Sequence, residues 1–220
     1  MSACGVSRGC LQNTVLAVTL LWSLQFNCYI VVTFLINPRS QWHSISDYSA
    51  TLIGSSTILV HWVGGLLVNT LGVVQFLPAP RTFHRWSGRV YIAALMITSS
   101  AGICYIIAVR TVGGLQMDIC FLIYGVACLT SAAGTGWWAV RRDYLRHRRW
   151  GLRTFTLGFA SAFYRLLIVP LMVTEAANDE VNLYLNVSGW IMFLPYLIVE
   201  CRLCYETWSK GRLQHENVHV

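Results

Sequence analysis

Residues 52–76 read LIGSSTILVHWVGGLLVNTLGVVQF, a run with no Asp, Glu, Lys or Arg. A helix crossing the hydrocarbon core of a bilayer needs about 20 mainly apolar residues, and this run supplies them. One ionisable side chain, His61, stands near its centre. Charged groups at such depth cost at least ~2.5 kcal/mol on insertion scales, so they face the bundle interior and mark function.

Working outward, six stretches approach the length of a span: 14–36, 52–76, 90–109, 119–140, 152–174 and 187–206. The first carries Gln25 and Asn27 and no small-residue cleavage site, so it reads as a retained span rather than a signal peptide. Only 11% of the 220 residues are charged and 55% are hydrophobic, against about 25% charged in soluble domains. The expected fold is an all-α, polytopic membrane helical bundle of six transmembrane helices, with spans 2–5 as a four-helix core. The whole chain, 1–220, reads as a single integral membrane domain.

The net charge of +7 is sorted by loop, which argues against nucleic acid as a partner. Six spans place both termini on one side. That side collects thirteen Lys and Arg, including Arg81, Arg85, Arg89, Arg141, Arg142, Arg146, Arg148, Arg149 and Arg153. The other side holds Arg39 and Arg110 only, with Asp47, Asp118, Glu175, Asp179 and Glu180. By the positive-inside rule the termini are cytoplasmic. Trp86, Trp137, Trp138 and Trp150 mark one boundary, and Trp42 and Trp190 the other.

Arg165 lies in the fifth stretch. Counted at 1.5 Å per residue from the less basic side, both His61 and Arg165 fall about 14 Å deep. Gly54, His61, Gly65, Asn69 and Gly72 make a small or polar stripe on span 2, the kind through which membrane helices meet. Thr154, Gly158, Ser161 and Arg165 make a second on span 5, away from Phe155, Phe159 and Phe163. Pro170 follows, and removes a helix hydrogen bond to Leu166. The functional reading is a buried polar pocket. Arg165 supplies a fixed cation and His61 an acid, base or ligand.

Two basic connections share a pattern: His84-Arg85-Trp86-Ser87-Gly88-Arg89 and His147-Arg148-Arg149-Trp150-Gly151-Leu152-Arg153. Both contain His-Arg, then Trp-x-x-Arg, which suggests a weak parallel repeat. With His61, Tyr91 and Arg165, these motifs resemble those of the membrane proteins grouped as domain of unknown function 2306. The resemblance covers about 50 to 175. It implies a helical membrane fold and this set of residues, and no reaction.

Three chemistries fit, so whether the chain is an enzyme stays open. The leading one is a membrane-embedded enzyme in which His61 and Arg165 act as catalytic residues on a lipophilic small molecule. A second is b-type haem electron transfer, with His84 and His147 as axial ligands facing each other across a sequential four-helix bundle. A third is a small transporter or channel, for which so short a chain would need a homodimer. Under all three, Arg85, Arg89, Arg148, Arg149 and Arg153 are expected to bind anionic lipid head groups of the bilayer. No metal site is expected: Cys201 and Cys204 form a CxxC with no second pair beside it, and read as packing residues, like Cys28, Cys104, Cys120 and Cys128.

Overall fold

The computed structural model describes residues 52–111, 114–174 and 186–216. The expected first span at 14–36 and Trp42 lie outside them. The described chain is helical apart from short connections, and no strand occurs among the described residues. Five long helices follow in order: α1 (Leu52–Val74), α2 (Arg81–Val109), α3 (Gly114–Val140), α4 (Tyr144–Thr174) and α5 (Leu194–Glu216). Among the described residues, four stretches are long and apolar enough to cross a membrane: Ser56–Val74, Arg81–Val109, Gly114–Val140 and Asn186–Ser209. Mid-helix positions such as Ile97, Val126 and Ile198 are more than half exposed. Such surface is costly in water but matches lipid tails. The chain is therefore an all-helical integral membrane protein. It divides into two compact units, Met1–Val109 and Arg110–Val220.

In the first unit, α1 packs along α2. Gln75 meets Gly88, Gly64 meets Thr98 and His61 meets Gly102, an order that makes the helices antiparallel. The close approach uses Gly64, where an added Cβ would run into the Thr98 hydroxyl and lie 3.1 Å from Thr98 Cβ. The expected contact at Gly65 is not there: its Cβ would meet nothing within 4 Å. Val68, Asn69, Gly72 and Val73 continue the buried face, so the expected positions Asn69 and Gly72 lie on it and Gly64 takes the place of Gly65.

α1 ends in tight bonds from Phe76 N–H to Val73 O (3.0 Å) and Leu77 N–H to Val74 O (3.2 Å). Pro78 and Pro80, which have no N–H, hold the chain out of helix until Arg81. α2 then starts at once, with His84 N–H donating to Pro80 O (3.0 Å). The His84–Arg89 motif, expected as a connection, is thus the opening of a helix. The same holds for His147–Arg153. Arg141–Asp143 form the whole turn after α3, and the Asp143 carboxylate caps α4 by accepting from Arg146 N–H (3.0 Å).

In the second unit, α3 and α4 meet through small and hydroxylated residues. Ala132, Thr135, Thr154, Gly158 and Ala160 are buried, and the Thr135 and Thr154 hydroxyls lie 2.6 Å apart. Farther along, Met117, Cys120, Ala160, Tyr164 and Met192 form a core, with Phe121, Tyr124 and Phe193 packed on it. Phe121 meets Tyr164 edge to face at 5.3 Å. The last span is broken at 192–193 between a short helix, 186–191, and α5, just before Pro195, which lacks the N–H to continue the ladder. Cys120 and Cys128 are buried as small hydrophobes, as expected, but Cys104, Cys201 and Cys204 are exposed. The CxxC lies on α5, with Cys204 toward the start of α4.

Candidate functional site

His61 lies midway along α1 and is half-buried. Its Nδ1 is 2.9 Å from Thr98 O on α2. A carbonyl can only accept, so Nδ1 carries the hydrogen, and in the neutral ring the lone pair is on Nε2. The ring occupies the space left by Gly102, where a Cβ would stand 2.9 Å from Nδ1. Such a bond from one ring nitrogen to a backbone carbonyl fixes tautomer and orientation wherever the other nitrogen is used as a base or ligand.

Arg165 lies on α4, in the second unit, and is half-buried. Its Nη1 donates to Ser161 Oγ one turn earlier (3.1 Å). Thr154 and Gly158, on the expected inward stripe, are buried. The helix continues through Pro170 to Thr174. His61 and Arg165 belong to different units, so each is defined by its own neighbours.

The two basic motifs share local geometry. In each Trp-x-x-Arg the guanidinium lies over the indole: Arg89 over Trp86 at 5.4 Å and Arg153 over Trp150 at 5.1 Å. Their histidines differ. His84 is exposed. His147 is half-buried, with Nδ1 donating to Thr135 O on α3 (3.0 Å), which repeats the arrangement of His61. Trp150 packs onto Gly134, where a Cβ would stand 2.5 Å from the ring. The second motif therefore fastens α4 to α3.

Of the expected anion-binding arginines, Arg85, Arg89 and Arg148 are exposed, and Arg85 Nε donates to Arg81 O (3.3 Å). Arg149 is half-buried. Arg153 holds Glu200 on α5 in a two-pronged pair, Nε to Oε1 at 2.5 Å and Nη2 to Oε2 at 2.8 Å. Both side chains are less than a quarter exposed. A double-mutant cycle with Arg153→Gln and Glu200→Gln in detergent is expected to give a coupling of about 1–2 kcal/mol. A coupling near zero would mean that the pair does not join α5 to α4.

The sequence reading missed the roles of three residues. Gln75, just past α1, sits over the start of α2. Its Nε2 donates to His84 O (3.3 Å), and its Oε1 accepts from Gly88 N–H (3.2 Å) and lies 2.8 Å from Ser87 Oγ. Gly88 in the first motif makes room for it, since a Cβ there would lie 3.0 Å from the amide nitrogen. Asp118, expected as a charge on the less basic side, is buried. It accepts from Arg110 Nη1 (3.1 Å), Thr111 N–H (2.7 Å) and Thr111 Oγ1 (2.7 Å). Tyr124 on α3 donates its hydroxyl to Leu157 O on α4 (2.6 Å). A polar residue at the edge of an apolar run was the available signal for Gln75 and Asp118.

These features define an all-helical integral membrane protein with an oriented histidine inside a span. The chain belongs to the family described as "Predicted membrane protein (DUF2306)", whose model matches residues 58–203. That range takes in His61, both basic motifs, Arg165 and Glu200. No curated protein and no solved structure matches the chain.

Proposed function

We propose that the protein is a membrane-embedded enzyme acting on a lipophilic small molecule, with His61 as its acid–base group and Arg165 as the fixed cation. In this reading it has six spans, with its termini and arginine-rich helix starts on the cytoplasmic side. The carrying observation is the bond from His61 Nδ1 to Thr98 O. It sets the neutral imidazole to present Nε2 as the base, in the side-chain type most often used for proton transfer. Arg165 remains charged at any physiological pH. It suits the anionic or carbonyl end of a substrate whose remainder is apolar.

The test is an extraction of small molecules that copurify with the full chain in mild detergent, followed by mass spectrometry. A lipophilic compound is expected with the wild type and about tenfold less of it with His61→Gln or Arg165→Gln, a loss of about 1.4 kcal/mol. Identical extracts from all three proteins would sink the reading.

A second reading, b-type haem, is favoured by one observation. His147 repeats the bond from Nδ1 to a backbone carbonyl, which leaves Nε2 suited to axial ligation. Protein purified after haem-supplemented expression then has a Soret band, and His147→Ala lacks it. A spectrum without that band removes haem from consideration.

A further inference from the structure

A groove of about 460 Å³ lies within the second unit, between the start of α4 and the later turns of α5, in the size range of ligand sites. Arg146, Arg149, Arg153, Trp150, Cys204 and Trp208 are among its walls. The three guanidiniums are not equivalent. Arg146 pairs with Asp143 (3.4 Å) and Arg153 with Glu200. Among the described residues no carboxylate pairs with Arg149. The Glu200 pair engages Nε and Nη2 of Arg153, so the Nη1 edge of that guanidinium is outside the bidentate contact. Three cations and two anions leave one positive charge at the groove.

Its place along the helices indicates the occupant. Trp208 and Thr207 stand at the end of the apolar stretch Asn186–Ser209, and Arg146 and Arg149 stand in the opening turns of α4. Tryptophan beside arginine at the end of a span is the composition of the lipid head-group level. A ligand there meets guanidinium groups together with the side chains of Trp150, Leu203 and Trp208. That combination suits a phosphate diester carrying acyl chains.

We infer that the groove between α4 and α5 binds the head group of an anionic phospholipid, with Arg149 as the principal phosphate contact. This site is separate from the residues proposed above for chemistry. Its occupant is a bilayer lipid rather than a substrate.

The full chain in detergent, mixed with phosphatidylglycerol and examined by native mass spectrometry, provides the test. The wild type is expected to retain phosphatidylglycerol in preference to phosphatidylcholine. Arg149→Gln should bind it about tenfold more weakly, as for loss of one charged hydrogen bond. Arg142→Gln removes the same charge from an exposed neighbour outside the groove and should change binding less than about threefold, the ordinary effect of a surface charge. Cys204→Trp keeps every charge but fills the groove, and should weaken binding about as much as Arg149→Gln. It carries the test if Arg149→Gln does not fold. Equal losses for Arg142→Gln and Arg149→Gln, or unchanged binding by Cys204→Trp, would overturn the inference. So would displacement of the lipid by inorganic phosphate, which would mark a site for soluble anions.

Discussion

Replacing Asp118 by alanine is expected to destabilise the protein by about 3 kcal/mol, read from the midpoint of denaturation in mild detergent. Asp118 is almost wholly buried at the start of α3, and one carboxylate serves three donors on the segment before it. Without it the Thr111 N–H and hydroxyl lose a charged acceptor. Each charged hydrogen bond contributes about 1.5–3 kcal/mol, and an abandoned buried donor costs further. The connection also contains Arg110 at φ 78°, a left-handed conformation that costs an L-residue about 1–2 kcal/mol. The Asp118 cluster is what holds it there.

Two companions check that division. Asp118→Asn keeps an oxygen acceptor and loses the charge, so it should fall between wild type and alanine. Arg110→Gly relieves the left-handed residue and loses an ion pair whose arginine is 65% exposed, which is worth little. It is expected within about 1 kcal/mol of wild type. If Arg110→Gly were as damaging as Asp118→Ala, the ion pair and not the Thr111 cluster would hold the connection.

Four spans were legible because the apolar signal is long and because little but helix satisfies the backbone inside lipid. The expected span at 152–174 lies in α4, which opens on charged turns and is not one of the four apolar stretches found among the described residues. The helix starts were not. Arginine-rich motifs such as His84–Arg89 look like connections on a hydropathy scale, yet Arg is a good helix former. Pro80 and Asp143 place the real boundaries just before them. On α1 Asn69 and Gly72 are buried as the stripe suggested, but the close contact is at Gly64 and not Gly65, because the two are adjacent and composition alone does not say which meets a neighbour. His61 could be picked out from its depth, but its bond to Thr98 O pairs residues 37 apart in sequence, and no local pattern encodes that. The Trp150 and Arg153 positions were legible as a motif and not as a device. Their partners, Gly134 and Glu200, lie in other helices and follow only from the fold.

Substituting leucine at Gly64 is expected to cost about 3 kcal/mol, at the upper end for overpacking, and to displace His61. A Cβ at Gly64 collides with Thr98 Oγ1, and rotating that hydroxyl away still leaves Thr98 Cβ 3.1 Å distant and Ala94 O at 3.5 Å. The helices must part, and Thr98 O is the acceptor that orients His61 one turn away. Small-molecule retention should therefore fall together with the denaturation midpoint. Gly64→Ala alone should lie in between. Thr98→Ala removes the obstructing hydroxyl, which has no hydrogen-bond partner among the described residues, so by itself it should be nearly neutral. Combined with Gly64→Ala, it should recover stability to within about 1 kcal/mol of wild type, a favourable coupling in a double-mutant cycle. Gly65→Ala is the control. Nothing lies within 4 Å of its added methyl, and alanine is the better helix former by about 1 kcal/mol, so it should be neutral or stabilising. If the two alanine substitutions behave alike, α1 does not pack on α2 through Gly64, and the orientation of His61 must have another origin.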